Sequence, residues 1–208
     1  AGCAYHYVAP RGDPHGASSE QYHAGLYALP EAIRRQAQVL VTPSFHVTAR
    51  LLEALPALQW VHHPGAGVNS GPFWTQWPLL EARGIVVTTA KIHATPISEW
   101  ILAAMLALAK NLSRHHEQQK RHIYHEEGVR LPNLILEGKT ALIIGTGHVG
   151  AETGRKLKLA FGMTTLGVNS DGRPLAYFDE TYTLQALDAL LPRADFVICT
   201  SVLVEATR

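Results

Sequence analysis

The residues whose spacing most directly suggests chemistry are the three glycines of the segment GTGHVG, residues 145–150. An apolar run, TALII, leads into this segment, and a helical pattern, AETGRKLKLAF, follows it and ends before Gly162. At a turn from strand to helix, the first glycine permits a tight turn and the second lets the backbone approach a pyrophosphate. The third lets the helix pack closely on the strand, and the helix N-terminus offers free amides to the phosphates. The segment therefore predicts a dinucleotide-binding turn rather than a simple glycine turn. The predicted contacts are Gly145, Gly147, His148, Val149 and Gly150.

A second apolar strand follows the glycine turn, and the residue after that strand is expected to read the ribose of the adenosine. That residue is Asn169. An aspartate there would accept hydrogen bonds from a ribose 2′-hydroxyl and repel a 2′-phosphate, whereas Asn169 repels nothing. Ser170 and Arg173 could hold a phosphate, although Asp171 works against it. The sequence therefore favours NADP over NAD.

The elements that must position these residues alternate between short branched apolar runs and amphipathic segments, which is typical of a parallel α/β protein. Helices are expected at about Thr48 to Leu55 and from Pro96 to Asn111 or beyond, the latter capped by Thr95 with Glu99 in its first turn. A further helix and a third strand complete the first β-α-β-α-β half of a Rossmann fold. The predicted strands are Val39 to Thr42, Leu58 to His62, Gly84 to Thr88, Thr140 to Ile144, Thr164 to Val168 and Asp195 to Thr200.

The pattern changes where the long helix begins, which predicts two domains, residues 1–94 and 95–208. The helix after this boundary is apolar over most of its circumference. Such a helix is expected to be buried on two sides, either between domains or in a subunit interface.

The bulk composition points to a small-molecule partner. A net charge of +1 gives no reason to expect a nucleic acid or an anionic membrane. The longest apolar run has ten residues, about half of the roughly 20 that cross a bilayer. The first residues lack the pattern of a secretory signal, and two distant cysteines form no disulfide framework, so a cytoplasmic location is expected. The histidine-rich segment RHHEQQKRHIYH lacks a matching carboxylate or cysteine pattern, so we interpret it as a solvated helical face and expect no metal.

Four segments, in this order, carry a resemblance to a known family. They are WVHHPGAGVN (residues 60–69), IHATPISEWILAAMLALAK (92–110), LEGKTALIIGTGHVG (136–150) and LDALLPRADFVICTSVLVEATR (187–208). Together they resemble the D-isomer-specific 2-hydroxyacid dehydrogenases. The resemblance implies a flavodoxin-like substrate domain followed by the first half of a Rossmann domain, and a homodimer built around the long helix.

The resemblance also implies an activity and further site residues. A hydride would pass between NAD(P)H and C2 of a small 2-oxo or 2-hydroxy acid, such as glyoxylate or hydroxypyruvate. Backbone amides at Ala66 and Gly67 would hold the substrate carboxylate, because a glycine-rich loop after a strand can present successive N–H groups to an anion. The segment after the last strand would line the cofactor. Its expected contacts are Thr200, Ser201, Val202 and Thr207.

The chain departs from the family pattern in three respects. Val202 and Val204 stand where proline and threonine are usual, and Asn69 stands where aspartate is usual. The arginine, glutamate and histidine that catalyse the reaction in the family match no residue of this chain, so the catalytic residues are expected in a longer protein. Two alternatives remain: a dinucleotide-binding regulator on the same fold that turns nothing over, and an inactive fragment.

Overall fold

The computed structural model describes residues 18–43, 46–66, 71–124 and 133–201; at positions 71 and 72 it describes the backbone alone. These residues form two compact units, and the first gives way to the second between Lys91 and Ile92. The sequence pattern places the domain boundary after Ala94.

The first unit contains a three-stranded parallel sheet in the order β1-β2-β3. Its strands are β1 (Val39–Val41), β2 (Trp60–His63) and β3 (Val86–Thr89). Six short helices accompany the sheet: α1 (Ser19–Tyr22), α2 (Ala24–Tyr27), α3 (Glu31–Gln36), α4 (Ala49–Ala54), α5 (Gly71–Thr75) and α6 (Trp77–Ala82). All three strands overlap the runs predicted from the sequence, and β2 and β3 each end one residue later than predicted.

One face of this sheet is buried and the other is exposed. Leu40 and Val61 share a register row and pack into a core with residues of α4, α5 and α6. The neighbouring row, which consists of Val39, Trp60 and Val86, faces the opposite side of the sheet and is largely exposed. Trp60 there donates its indole hydrogen to Thr88 Oγ1 at 2.8 Å. The exposed face is notable because parallel sheets are normally covered on both sides.

A group of buried polar side chains lies at the carboxyl end of β1. His23 and His46 are both buried, and their rings meet edge to face. His23 Nε2 lies 3.4 Å from Thr42 Oγ1, and Tyr22 stacks on His46 with ring centroids 3.9 Å apart. Burial first, and then the neighbouring His46, lower the pKa of His23 from 6.5 to about 4.

The second unit contains a four-stranded parallel sheet in the order β6-β5-β4-β7. Its strands are β4 (Thr140–Ile144), β5 (Thr164–Val168), β6 (Glu180–Tyr182) and β7 (Phe196–Cys199). Its helices are α7 (Ala94–Ala109), α8 (Leu112–Lys120), α9 (His148–Phe161) and α10 (Leu187–Leu190), with 3-10 turns at Leu184–Ala186 and Leu191–Arg193. The α/β fold with parallel sheets is therefore confirmed.

The strand count of this unit corrects the sequence prediction. The run at Asp195 to Thr200 forms the fourth strand, β7, and the third strand is β6, which was missed. β6 has only three residues, Glu-Thr-Tyr, and carries no apolar run, so periodicity gives no signal for it. β7 pairs with β4 on the side opposite β5, so the chain has already crossed into the second half of the sheet.

Helix α7 begins earlier than its sequence signals suggest. Its N-cap is His93, so Thr95 lies inside the first turn instead of capping it. Thr95 has another role, because its carbonyl accepts a hydrogen bond from Ser98 Oγ at 2.8 Å. Lys156 Nζ of α9 in turn donates to Ser98 Oγ at 2.8 Å and lies 3.5 Å from Glu99 Oε1. The start of α7 is thereby joined to α9.

Only one face of α7 is buried in the described chain. Met105 and Ala109 pack into the core that also contains Leu157 of α9. Outside this face, Ile97, Trp100 and Leu108 are exposed, and Trp100 retains 78% of its accessible surface. The sequence predicts that α7 is buried on two sides, and within the described chain only one of its sides is buried.

Candidate dinucleotide-binding site

Gly145 terminates β4 in a conformation that only glycine adopts easily. Its φ is +91°, and its amide donates to Val168 O at 2.9 Å. A Cβ at this position would lie 2.5 Å from Ser201 N and 2.8 Å from the carbonyl carbon of Thr200. The turn is therefore tight both in its backbone angles and in its approach to the segment after β7.

Gly150 brings α9 against the same turn. A Cβ there would lie 2.1 Å from Gly145 O and 2.8 Å from Thr200 Oγ1. Thr200 Oγ1 also donates a hydrogen bond to Gly145 O at 2.5 Å. Since a Cβ never approaches backbone oxygen so closely, this contact needs glycine, as predicted for the third glycine of the motif.

Gly147 differs from its two neighbours because it borders open space. A Cβ placed on Gly147 meets no atom of the described residues within 4 Å. Its φ of −68° is one that any residue adopts, so neither packing nor backbone conformation explains a glycine here. Free space over a bare backbone is what a pyrophosphate at this turn would require.

Helix α9 begins at the turn with an N-terminus that no side chain of the described residues caps. Gly147 is the N-cap, and the helix runs from His148 to Phe161, ending at Gly162 with φ +60° as predicted. The amides of the first turn and the positive end of the helix dipole therefore lie at the glycine turn. His148 is exposed there and lies in the first turn of the helix.

The strand order reverses at β4, because β5 lies on one side of it and β7 on the other. In open parallel sheets, ligands bind outside the carboxyl ends of the strands at such a reversal. Thr200 follows β7 at this edge, and its amide donates to Ile144 O at 2.8 Å. Ser201 lies next to it, with its Oγ 3.4 Å from Cys199 Sγ.

The residue predicted to read the ribose follows β5 at the same edge. Asn169 uses its side chain within its own loop: Oδ1 accepts from the amides of Asp171 at 3.3 Å and Gly172 at 2.5 Å. Its Nδ2 donates to Arg173 O at 3.0 Å. The Asn169 side chain therefore organises the loop, a role that the sequence pattern did not reveal.

Arg173 and Asp171 are the charged residues of this loop. Arg173 Nη1 lies 3.4 Å from Asp171 Oδ2, and the Arg173 amide also approaches Asp171 Oδ1 at 3.4 Å. Both side chains are exposed. Ser170 is exposed between Asn169 and Asp171.

The loop predicted to hold the substrate carboxylate lies in the first unit, after β2. Ala66 is described, and Gly67 lies outside the described residues, as do Val202 and Thr207. The carbonyls of His63 and Gly65 both accept from the Ala90 amide, at 3.1 and 3.0 Å. A Cβ on Gly65 would lie 2.4 Å from Nε2 of the buried His63, so the imidazole packs directly against this loop.

The charges of α9 are paired along the helix. Arg155 donates to Glu152 through Nε at 2.9 Å and Nη2 at 2.7 Å, and these bonds hold the pKa of Glu152 below its ordinary value. Lys156 Nζ lies 3.7 Å from Glu152 Oε1.

Within the described residues, no three histidine, cysteine, aspartate or glutamate side chains are grouped so that they could hold a metal ion. In the same part of the chain, none of the helices has the length and apolar character to cross a bilayer.

The described residues fit a dinucleotide by their own geometry. A glycine turn at a strand end, open space over Gly147, an uncapped helix N-terminus and a strand-order reversal coincide at one edge of the sheet. A bound dinucleotide would place its pyrophosphate on the amides around Gly147 and His148 and its adenosine ribose toward the loop at Asn169. Fold and site together are those of a dinucleotide-binding α/β protein.

Comparisons with known proteins narrow this class. Residues 102–208 match the family model of the D-isomer specific 2-hydroxyacid dehydrogenase, NAD binding domain. The chain therefore belongs to the D-isomer-specific 2-hydroxyacid dehydrogenases, a family of oxidoreductases that use a nicotinamide cofactor. The resemblance and the cofactor class inferred from the sequence are thereby confirmed.

Individual relatives show the same similarity over most of this chain. An uncharacterized protein in the mprR 3′ region of Streptomyces coelicolor is 32% identical over 171 residues, which cover 81% of this chain and 58% of that protein. The crystal structure of a D-isomer specific 2-hydroxyacid dehydrogenase family protein from Aeromonas salmonicida superposes with a TM-score of 0.70 at 30% identity. That match covers 85% of this chain and 54% of the other.

A third relative is the NADPH-dependent glyoxylate/hydroxypyruvate reductase of Sinorhizobium meliloti, whose structure was determined with NADP and sulfate. It is 25% identical with a TM-score of 0.65, and the match covers 88% of this chain and 55% of that one. The chain thus spans between half and three fifths of the length of these three relatives.

Proposed function

We propose that this chain is part of an NAD(P)H-dependent D-2-hydroxyacid dehydrogenase that reduces a small 2-oxo acid, with glyoxylate and hydroxypyruvate as the leading substrates. When bound, the nicotinamide supplies a hydride to the carbonyl carbon of the substrate. The observation that carries the proposal is the open space over Gly147 between a strand end and an uncapped helix N-terminus. It leaves room for a pyrophosphate in a chain whose family model is that of an NAD-binding domain.

In this proposal the two units have the roles that the sequence predicts: the unit before the boundary binds the substrate, and the unit after it binds the cofactor. In the cofactor domain, Gly145, Gly147, His148, Val149 and Gly150 would bind the pyrophosphate. Thr200 and Ser201, with Val202 and Thr207, would line the rest of the cofactor. In the substrate domain, the amides of Ala66 and Gly67 would hold the carboxylate. The proposal assigns no catalytic residue to this chain.

The choice of substrate draws on one relative and on the size of the expected anion site. The Sinorhizobium meliloti reductase acts on glyoxylate and hydroxypyruvate, and it shares this fold at 25% identity. Two successive amides suit a single carboxylate group. A cytoplasmic location, where reduced nicotinamide cofactors are supplied, is part of the same proposal.

We further propose NADP as the preferred cofactor. The residue after β5 is Asn169, which adds no negative charge next to a 2′-phosphate, and Arg173 lies four positions on. An Asn169→Asp change should shift the preference toward NADH by a few-fold, because an added carboxylate repels the phosphate. Kd values for NADH and NADPH, measured by nicotinamide fluorescence, test this; an unchanged ratio would place the ribose-reading position elsewhere.

The exposed face of α7 supports a homodimer. Ile97, Trp100 and Leu108 recur at helical spacing and form an apolar stripe on an outer face. A two-fold interface would place the same stripe of each subunit against its copy. Sedimentation of the protein and of a Trp100→Asp variant tests this, with a dimer expected for the first and a monomer for the second.

The activity is tested by titrating the protein, expressed from its complete gene, with NADPH and NADH and then adding glyoxylate or hydroxypyruvate. Binding followed by oxidation of NADPH supports the dehydrogenase. Binding without turnover of any 2-oxo acid would contradict it and favour a dinucleotide-binding regulator. Absence of binding to either nucleotide would reject the cofactor site itself.

A further inference from the structure

The loop at residues 169–173 raises the question of what can distinguish the two nicotinamide cofactors. They differ only in a phosphate on the adenosine 2′-oxygen, so discrimination depends on charge and hydrogen bonds near that oxygen. The side chain of Asn169 is already engaged: its oxygen accepts from two loop amides and its nitrogen donates to Arg173 O. The Asn169 side chain therefore fixes the loop backbone. The charged groups of this loop that can interact with the 2′-position are those of Asp171 and Arg173.

The backbone of the loop is fixed on several sides. Gly172 has a φ of +69°, and its carbonyl accepts from Thr181 Oγ1 at 3.1 Å. The Asn169 amide donates to Tyr182 O at 2.9 Å. Because β5 and β6 both anchor the loop, Asp171 and Arg173 project from a defined position at the carboxyl edge of the sheet, beside the predicted ribose site.

The carboxylate of Asp171 contacts Arg173 twice, through the guanidinium and through the backbone amide, each at 3.4 Å. A guanidinium is the side chain best suited to bind a phosphate, because its planar donors match the phosphate oxygens. Here that guanidinium already faces a carboxylate. A 2′-phosphate would therefore have to compete with Asp171 for Arg173 while being repelled by the same carboxylate.

We propose that Asp171 reduces the preference for NADPH over NADH by pairing with Arg173, while Asn169 acts as a positioning residue for the loop. This inference rests on the proposed cofactor function and adds a specificity-determining residue to it. The exposed pair is weak in itself, since surface ion pairs contribute little stability. Arg173 can therefore be released by a single substitution without loss of the fold.

The test is a double-mutant cycle in the protein expressed from its complete gene, read as Kd for NADPH and for NADH by nicotinamide fluorescence. Asp171→Asn should tighten NADPH binding by about tenfold and change NADH binding by less than about twofold. In an Arg173→Ala background, the same change should tighten NADPH binding by only about threefold or less, because only the direct repulsion between the carboxylate and the phosphate is then relieved. High salt should reduce the gain.

The matched control is Glu137→Gln, which makes the same change in net charge at an exposed residue before β4, at the amino edge of the sheet. It should leave both affinities unchanged. The inference is overturned if Asp171→Asn leaves the NADPH-to-NADH ratio unchanged, or if its gain persists in full without Arg173. These outcomes require that the unmodified protein binds a nucleotide. If it binds neither NADPH nor NADH, both the proposed function and this inference are rejected.

Discussion

The two sheets of this chain are both parallel, but they are covered differently. In the second unit, β4 and β5 are buried over most of their length, with α7 and α9 on one face and α10 with its flanking turns on the other. In the first unit, one face carries the core and the other exposes Val39, Val41, Trp60 and Val86. The central strands of the second sheet are thus covered on both faces, whereas the first sheet is covered on one face only.

The difference shows where the backbone geometry of this chain is most tightly determined. In the second unit, the close approach of Gly150 to Gly145 O and of Gly145 to Ser201 leaves no room for side chains. In the first unit, two polar groups add to the apolar core: the half-buried Arg83 at the end of α4 and the buried His23. Substitutions at these glycines should therefore act through steric clashes, and substitutions at Arg83 and His23 through lost hydrogen bonds or protonation.

The largest effect is expected from Gly150→Val, which should strongly destabilise the second unit. Its side chain would overlap Gly145 O and Thr200, and relief would require α9 to move off the sheet. The free energy of unfolding should fall by about 3 kcal/mol or more. Urea denaturation followed by circular dichroism measures this, and a stability close to that of the unmodified protein would mean that the turn is looser than described.

Gly147→Val should separate binding from folding in the same turn. Because a Cβ there meets only open space among the described residues, the main cost is the loss of a glycine N-cap, and the melting temperature should fall by no more than about 4 °C. The valine would occupy the space of the pyrophosphate, so affinity for NADH and NADPH should fall by about 100-fold or more. Unchanged nucleotide affinity in a folded variant would contradict the assigned site.

In the first unit, Arg83→Met should reduce stability through hydrogen bonds alone. The Arg83 guanidinium donates to the carbonyls of Leu52, Leu55 and Pro56 at 2.7, 2.8 and 3.1 Å, which satisfies the end of α4. Losing these charged donors should cost about 2 kcal/mol in urea denaturation. The control is Arg35→Met, which removes only an exposed pair with Glu31 and should cost less than about 0.5 kcal/mol. Equal costs for the two variants would refute the role given to Arg83.

The smallest effect, confined to the first unit, is a loss of stability in mild acid. The pKa of His23 is about 4 in the folded protein against 6.5 for a free histidine. Between these values the unfolded chain binds the additional proton, so the free energy of unfolding decreases as pH falls from about 6.5 toward 4. From pH 7 to 5 the expected loss is about 1 to 2 kcal/mol.

A His23→Gln variant should show a flatter pH dependence, whereas His116→Gln, at an exposed position of α8, should not. Parallel pH profiles for the unmodified protein and the His23 variant would show that the acid sensitivity arises elsewhere.

The sequence predicted the features that depend on local pattern. Apolar runs predict the strands β4 and β5. Glycines predict the turn after β4 and the end of α9, where Gly145 and Gly162 both have positive φ. It missed β6 because a three-residue polar strand is specified by its neighbours rather than by its own residues.

The start of α7 was misplaced for a related reason. Thr95 and Pro96 are strong local signals, but Thr95 O accepts a hydrogen bond from Ser98 within the helix and a tertiary one from Lys156 of α9. These bonds favour a helical first turn that already includes Thr95. The engagement of Asn169 in its own loop was equally hidden, since a single sequence shows which side chain is present but not what it bonds.

The exposed face of α7 also gives the second unit an optical signal of its own. Of the four tryptophans, three precede the unit boundary, and Trp100 alone follows it. An indole this open to water emits at long wavelength, so burial against another surface should shift its emission to the blue. Replacing the other three tryptophans with phenylalanine would leave an emission spectrum that reports on this one helix face, and dilution would then follow any association in real time.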